Sequence, residues 1–308
     1  MSLKNIKTKI YSVKKTATVT RAMEAVSAVK MRKSQERALS GRAYAAAALS
    51  VLERLSATSE AGHHPLMFDL RGRTSRKAAI IVVTSDKGLA GSLNSAVIRA
   101  TEHELSMRNL DKTGVKIIAI GRRGADYFAM RDFDVALRQE NIGDVVSDND
   151  MRAVTDQVLL WHAAGDISEC HIAYTNFIST FEQKPAVRHI IPITPETMKE
   201  MVRGIRPAKG KYAPVEGEKE VHPAAYTIEP DTETVLAELL PKLVNVAVFH
   251  ALLESKASEH SARMVAMKSA TDKAKEMAGE LTRIFNKTRQ SAITREVSEI
   301  TSGIEAMR

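Results

Sequence analysis

From Met264 to Ala292, small or apolar residues return at every third or fourth position: Met264, Met267, Thr271, Ala274, Ala278, Leu281, Phe285, Thr288 and Ala292. Unbroken 3-4 spacing over this distance defines a helix with one narrow stripe, the pattern of a coiled-coil seam. The helix begins near Asp231 and reaches about Gly303, with Pro241 expected to kink or restart it. At the standard helical rise, residues 242–303 span about 90 Å. No domain built from the rest of a 308-residue chain is wide enough to cover that stripe. It needs a second long helix.

The other end of the chain supplies one. Ser2 to Ala57 contains no proline, a single glycine (Gly41) and many strong helix formers. Ile6, Ile10, Val13 and Ala17 step by 4, 3 and 4. The apolar positions then shift phase to Val19, Met23 and Val26, which predicts a local stutter, and beyond Lys30 the stripe is mostly alanine. Such a helix is about 80 Å long. The two terminal helices bury their stripes most economically against each other. They run antiparallel if the chain returns through a globular domain. Ala17, Ala274, Ala278 and Ala292 permit close approach, so the expectation is a thin, stiff shaft with a knob at one end.

The middle of the chain follows a different pattern. Ala78–Val83 and Val115–Ile120 are short β-branched apolar runs that read as buried parallel strands, with a helix over Ser92–Asn109 between them. Phe133–Leu137 and Cys170–Ile178 read as further strands, Ser147–Ala164 as a helix, and Val187–Ile193 as a closing hairpin partner after a connection through Gln183. Alternating strands and helices imply right-handed crossovers. Seven of the nine prolines then fall between Lys184 and Asp231, marking a long irregular connection. The expected fold class is α/β plus a long antiparallel coiled coil: N- and C-terminal helices form the shaft, and a central Rossmann-like, small doubly wound sheet forms the knob. The expected divisions are 1–57 for the N-terminal coiled-coil helix, 76–195 for the α/β domain, 196–230 for the irregular connection or foot, and 231–308 for the C-terminal coiled-coil helix.

Composition narrows the chemistry. Aromatics at 5% and only 15 glycines argue against a β barrel or sandwich. The single cysteine, Cys170, excludes an internal disulfide framework and points to a reducing compartment. The N-terminus has no apolar signal region, and no continuous run of about 18 apolar residues marks a membrane span. The formal net charge is +8. Residues 1–42 alone carry eleven basic groups against Glu24 and Glu36, a local +9, which is either a solvated face or a surface that meets acidic loops, phosphates or anionic lipid.

Motifs for catalysis are missing. No Walker A sequence occurs. Ser85–Ser92 sits where nucleotide folds bind anions, but its G-x-x-G spacing reads better as a tight strand-to-helix turn, as does Gly121–Gly124. His63 and His64 lack ligand partners at metal spacing, and His250 and His260 are ten residues apart on one helix and form no ligand pair. Trp161 and His162 fit a packed helix face, and Cys170 within a strand reads as inert core. The expectation is therefore no catalytic residue, no metal and no cofactor.

The ends of the chain resemble a known family. Asn5–Ile10, Thr20–Val26 and Lys30–Lys33 are similar to the N-terminal helix of the gamma subunit of F-type ATP synthases. Ser258–Asp272 and Phe285–Glu296 are similar to that family's C-terminal signature, and Ser85–Asn94 to its central one. The resemblance covers the whole chain. It implies a non-catalytic central stalk whose partners are the alpha and beta subunits of the catalytic hexamer, epsilon and the c-subunit ring. It implies no nucleic acid, and membrane contact only through the complex.

Residue by residue, the resemblance implies that Arg289, Gln290 and Thr294 meet the catch loops of beta, with Arg263 nearer the foot. Met23 and its basic neighbours would face acidic loops of beta, or Met23 would pack in the seam. Tyr226 and Glu229 match the foot near the c ring and epsilon. Ile293, Val297, Ile300 and Ile304 resemble an apolar tip held in a sleeve of the hexamer. The segment Lys199–Val221 is longer than the family minimum, paired cysteines of the chloroplast branch are missing, and no transit peptide is evident. The implied location is therefore the cytoplasmic face of a bacterial inner membrane. The competing readings are a basic coiled-coil protein that binds nucleic acid and a small α/β nucleotide-dependent enzyme using the Gly88–Gly91 turn.

Overall fold

The computed structural model describes residues 2–55, 64–67, 77–194 apart from 145 and 147, residue 197, and residues 231–307. Tyr226, Glu229, the Lys199–Val221 segment and His63 lie outside them. The chain divides into two units, Met1–Ala28 with Arg263–Arg308, and Val29–Ala262. Helix α1 (Leu3–Leu55) and the C-terminal helix, here α5 (Thr232–Ala306), each contribute residues to both.

The larger unit is built on a five-stranded sheet. Its strands are β1 (Ala78–Val83), β2 (Val115–Ile120), β3 (Asp134–Gln139), β4 (Glu169–Phe177) and β5 (Gln183–Ile191), in the order β3-β2-β1-β4-β5. β1 pairs in parallel with β2 and β4, β2 pairs in parallel with β3, and β5 closes the edge antiparallel to β4. All six residues of β1 are buried, because a central parallel strand is covered on both faces.

Side-chain alternation separates two cores. Ile80, Val82, Ile117 and Ala173 pack with Val97, Ile98 and Leu105 of α2 (Leu93–Met107). Ile81, Val83, Ile118 and Ile172 pack with Met151, Val154 and Val158 of α4 (Asp148–Ala163) and with Leu236, Leu240, Val244 and Leu252 of α5.

Helix α3 (Arg122–Ala129) begins inside Gly121–Gly124, which the sequence presents as a strand-to-helix turn without marking the helix that follows. Both glycines are there because Thr84 approaches closely. A Cβ on Gly121, whose φ is +95°, would lie 2.1 Å from the Thr84 carbonyl oxygen, and one on Gly124 would lie 3.0 Å from Thr84 Oγ1. The Gly124 N–H donates to that same hydroxyl at 2.9 Å. β5 begins at Gln183 rather than Val187, since Pro185 is tolerated on an edge strand.

One expectation for α5 is corrected. The helix runs through Pro241 without a restart. Its start is fixed upstream by Asp231, whose carboxylate accepts the Thr234 N–H and hydroxyl, each at 2.8 Å, as an N-terminal cap. α5 also contains a window long and apolar enough to cross a membrane by length and composition, although no uninterrupted apolar run exists. Half of that window is buried within the protein, and the apolar residues Leu236–Leu253 serve the sheet core.

In the smaller unit α1 and α5 face each other. The seam of α1 does not stutter: Val19 and Val26 are exposed, and the positions turned inward are Ile6, Ile10, Val13, Ala17, Thr20, Glu24 and Ser27, in regular 4-3 spacing. On α5 the inward positions are Met264, Met267, Thr271, Ala274, Ala278, Leu281, Phe285 and Thr288; Ala292 is exposed. Thr20 Oγ1 lies 2.7 Å from Thr271 Oγ1. Laid parallel from that bond, Leu281, Phe285 and Thr288 would face nothing in this unit. Laid antiparallel, they face Ile10, Ile6 and Leu3, which accounts for their partial burial. The pair is antiparallel.

Candidate functional site: the terminal helices

The Thr20–Thr271 contact fixes the register of the pair. The Thr271 hydroxyl bonds to the Met267 carbonyl at 2.8 Å, and Thr20 Oγ1 lies 3.1 Å from the Thr16 carbonyl. Each hydroxyl has a carbonyl acceptor on its own helix, and either one can donate across the seam. Around it, alanines and short hydroxyl side chains keep the two backbones close.

The pairing ends near Thr288. Every described residue from Arg289 to Met307 is exposed, including Ile293, Val297, Ile300 and Ile304, which line one side of the helix at 4-3-4 spacing. An apolar stripe on a helix with no neighbour within its unit is a surface that asks for a partner. Arg289, Gln290 and Thr294 lie on this stretch, and the Thr294 hydroxyl donates to the Gln290 carbonyl at 3.0 Å. Arg263 and Met23 are half-buried. The expected site residues are thus split between an exposed end and positions close to the seam.

In the larger unit, the α1 and α5 segments meet at the loop after β3. Asp144 binds Lys30 Nζ at 2.7 Å through Oδ2 and His260 Nε2 at 3.1 Å through Oδ1, while its carbonyl accepts Arg37 Nη1 at 2.6 Å. Lys256 Nζ donates to the Ile142 carbonyl at 2.9 Å. Burial pushes the Asp144 carboxyl up, but Lys30, His260 and Lys256 outweigh it and hold the carboxyl below the ordinary aspartate range. Several basic and titratable residues of both long helices are therefore engaged on a single loop. Asp86 Oδ1 and Oδ2 accept the Arg122 and Asn141 N–H groups, each at 3.0 Å, and Ser85 pairs with Asn94, so the Ser85–Ser92 turn is committed to structure. His250 faces Glu254 while His260 faces Asp144, so the two histidines form no pair. Cys170 is fully buried and burial pushes its thiol far up, which leaves it unreactive.

Comparisons with known proteins match these features. A family profile described as ATP synthase matches residues 2–307. The ATP synthase gamma chain of Cupriavidus metallidurans is 38% identical over 304 residues, covering 99% of both chains, and that of Pelotomaculum thermopropionicum is 37% identical over 306 residues with the same coverage. The chain belongs to the ATP synthase gamma chain family. Gamma chains are non-catalytic parts of that membrane-associated complex, and the nucleic-acid reading of the basic N-terminal helix has no support. Among solved structures, the Euglena gracilis mitochondrial ATP synthase assembly of OSCP, F1 and c-ring in rotational state 3 provides a chain that aligns with a TM-score of 0.63, at 17% identity, over 99% of this chain and 94% of that one. The Tetrahymena thermophila mitochondrial ATP synthase central stalk and c-ring gives 0.57, at 24% identity, over 82% and 99%. At these identities the likeness is one of fold: the sheet with its long terminal helices is a central-stalk fold.

Proposed function

We propose that the chain is the turning axle of a proton-translocating ATP synthase, carrying torque from a membrane c ring to catalytic sites on beta subunits. The observation that carries this reading is the antiparallel seam from Ile6 to Ser27 and Met264 to Thr288, prolonged by an exposed helix with its own apolar stripe. Two helices locked in register resist bending and twist better than one. A single asymmetric shaft among three equivalent catalytic subunits imposes a different environment on each. Each proton moved down 100 mV releases roughly 2.3 kcal/mol, so several must be pooled for one ATP, and pooling needs an element that stores and delivers torque.

On this reading Arg289, Gln290 and Thr294 engage loops of beta, Arg263 acts nearer the foot, and Met23 sits where seam and beta contact meet. Ile293, Val297, Ile300 and Ile304 are sheathed by the alpha–beta hexamer. Tyr226 and Glu229 belong to the foot against epsilon and the c ring. The complex lies on the cytoplasmic face of a bacterial inner membrane, and the chain reaches the membrane only through its partners. Purification of the tagged chain from membranes tests this. It should bring alpha and beta at one copy per three of each, together with epsilon and c. Recovery of the chain alone, or with nucleic acid, would contradict the proposal.

A further inference from the structure

The only group of three or more His, Cys, Asp or Glu side chains placed to hold a metal, among the described residues, lies at the β4–β5 edge of the sheet. Glu169, His171 and His189 each offer a ligand atom, and those atoms all lie within 4.8 Å of one another. The register brings them together: His171 stands opposite His189 across the antiparallel pair, and Glu169 is two residues before His171 on the same face of β4. The two imidazoles stack at 4.8 Å between centroids, tilted by 36°.

Two features separate this cluster from an incidental one. Glu169 and His171 are buried at 7% and 1% exposure. His171 Nε2 is enclosed and makes no hydrogen bond, although Glu169 Oε2 is only 3.3 Å away. A buried imidazole nitrogen beside a carboxylate, without the alignment of a hydrogen bond, is a costly arrangement unless something joins the two. Ligand atoms on a tetrahedral zinc ion, each at about 2.1 Å, stand about 3.4 Å apart, close to that separation.

We propose that Glu169, His171 and His189 form a binding site for a transition-metal ion of the zinc class. Two imidazoles and one carboxylate are a zinc-type donor set, with water completing four-coordination. The three ligand atoms lie within 4.8 Å of one another, so binding needs only a small adjustment to bring them to the spacing of a four-coordinate ion. Arg108 Nη1 holds Glu169 Oε2 at 2.9 Å, and its Nε binds Glu104 at 2.6 Å. Arg108 therefore keeps a carboxylate partner when the metal takes Glu169. The ion would staple edge strand β5 to β4. The separation of the ligands along the chain hides the site from any reading of metal spacing.

The test uses the full-length chain, stripped with chelator and titrated with Co2+ and then Zn2+. The expected result is one equivalent of Co2+ giving the intense visible bands of a four-coordinate site, displaced by Zn2+, with a Zn2+-dependent rise in melting temperature. His171→Ala and His189→Gln should each weaken binding at least about tenfold, whereas His64→Ala should leave it unchanged. His189 is on the edge strand and only partly buried, so His189→Gln keeps the test decisive if His171→Ala fails to fold. No binding by the wild-type chain, or full binding by the folded His189 variant, would overturn the proposal.

Discussion

Thr20 and Thr271, 251 positions apart in sequence, share a 2.7 Å hydrogen bond inside the seam of the two terminal helices. A hydroxyl pair at a position where a coiled coil normally holds apolar side chains favours one register, because sliding either helix by one turn forfeits the bond between the two hydroxyls. Thr20→Val and Thr271→Val should each destabilise the chain by about 1 kcal/mol. The double variant should cost less than the sum, with a coupling of about 0.5–1 kcal/mol. Urea titration of the four proteins measures it.

Leu281 is half-buried opposite the position of Ile10. Leu281→Asp brings a carboxylate to that seam and should cost about 2 kcal/mol or more. In the assembled enzyme, ATP turnover should persist while ATP-driven proton pumping falls, as a loosened shaft slips. Pumping by inverted vesicles reads this out.

Gly121 is fixed by φ +95° and by the Thr84 carbonyl, 2.1 Å from where a Cβ would stand. Gly121→Ala must displace the end of β1 or the start of α3, at about 3 kcal/mol, whereas Gly279→Ala on α5, with open space around it, should be neutral or slightly stabilising. Thermal melts of the two variants should diverge accordingly.

Asp144 binds Lys30 and His260, and its carboxyl is held below the ordinary aspartate range. A carboxyl whose folded value is depressed adds stability that is complete at neutral pH and disappears as the pH falls below about 4. Both Asp144 and Lys30 are more than 40% exposed, so Asp144→Asn should cost only about 1 kcal/mol at pH 7. The difference from wild type should shrink steadily as the pH falls below about 4, as seen by denaturation at each pH.

Much of this structure is legible in the residues. Ala78–Val83 and Val115–Ile120 are strands with the expected bounds, because uninterrupted β-branched runs have few other uses. The α5 stripe from Met264 to Thr288 likewise faces its partner. Apolarity misleads on α1, where Val19 and Val26 are 52% and 54% exposed and the seam continues through Thr20 and Ser27. Pattern reading tracks hydrophobicity, whereas a close-packed pair of helices selects for small size and hydrogen bonding. α3 escapes because its two glycines, required by Thr84, look like a turn. The exposed placement of Arg289, Gln290 and Thr294 is visible only with coordinates.

One measurement bears most directly on the axle itself. With Thr20→Cys and Thr271→Cys in the assembled complex, oxidation should form a disulfide across the seam, and the buried Cys170 should not interfere. If the two helices turn as a single body, the locked enzyme retains ATP hydrolysis and proton pumping at close to the reduced rates. Failure of the disulfide to form, or loss of pumping that returns on reduction, would contradict the account.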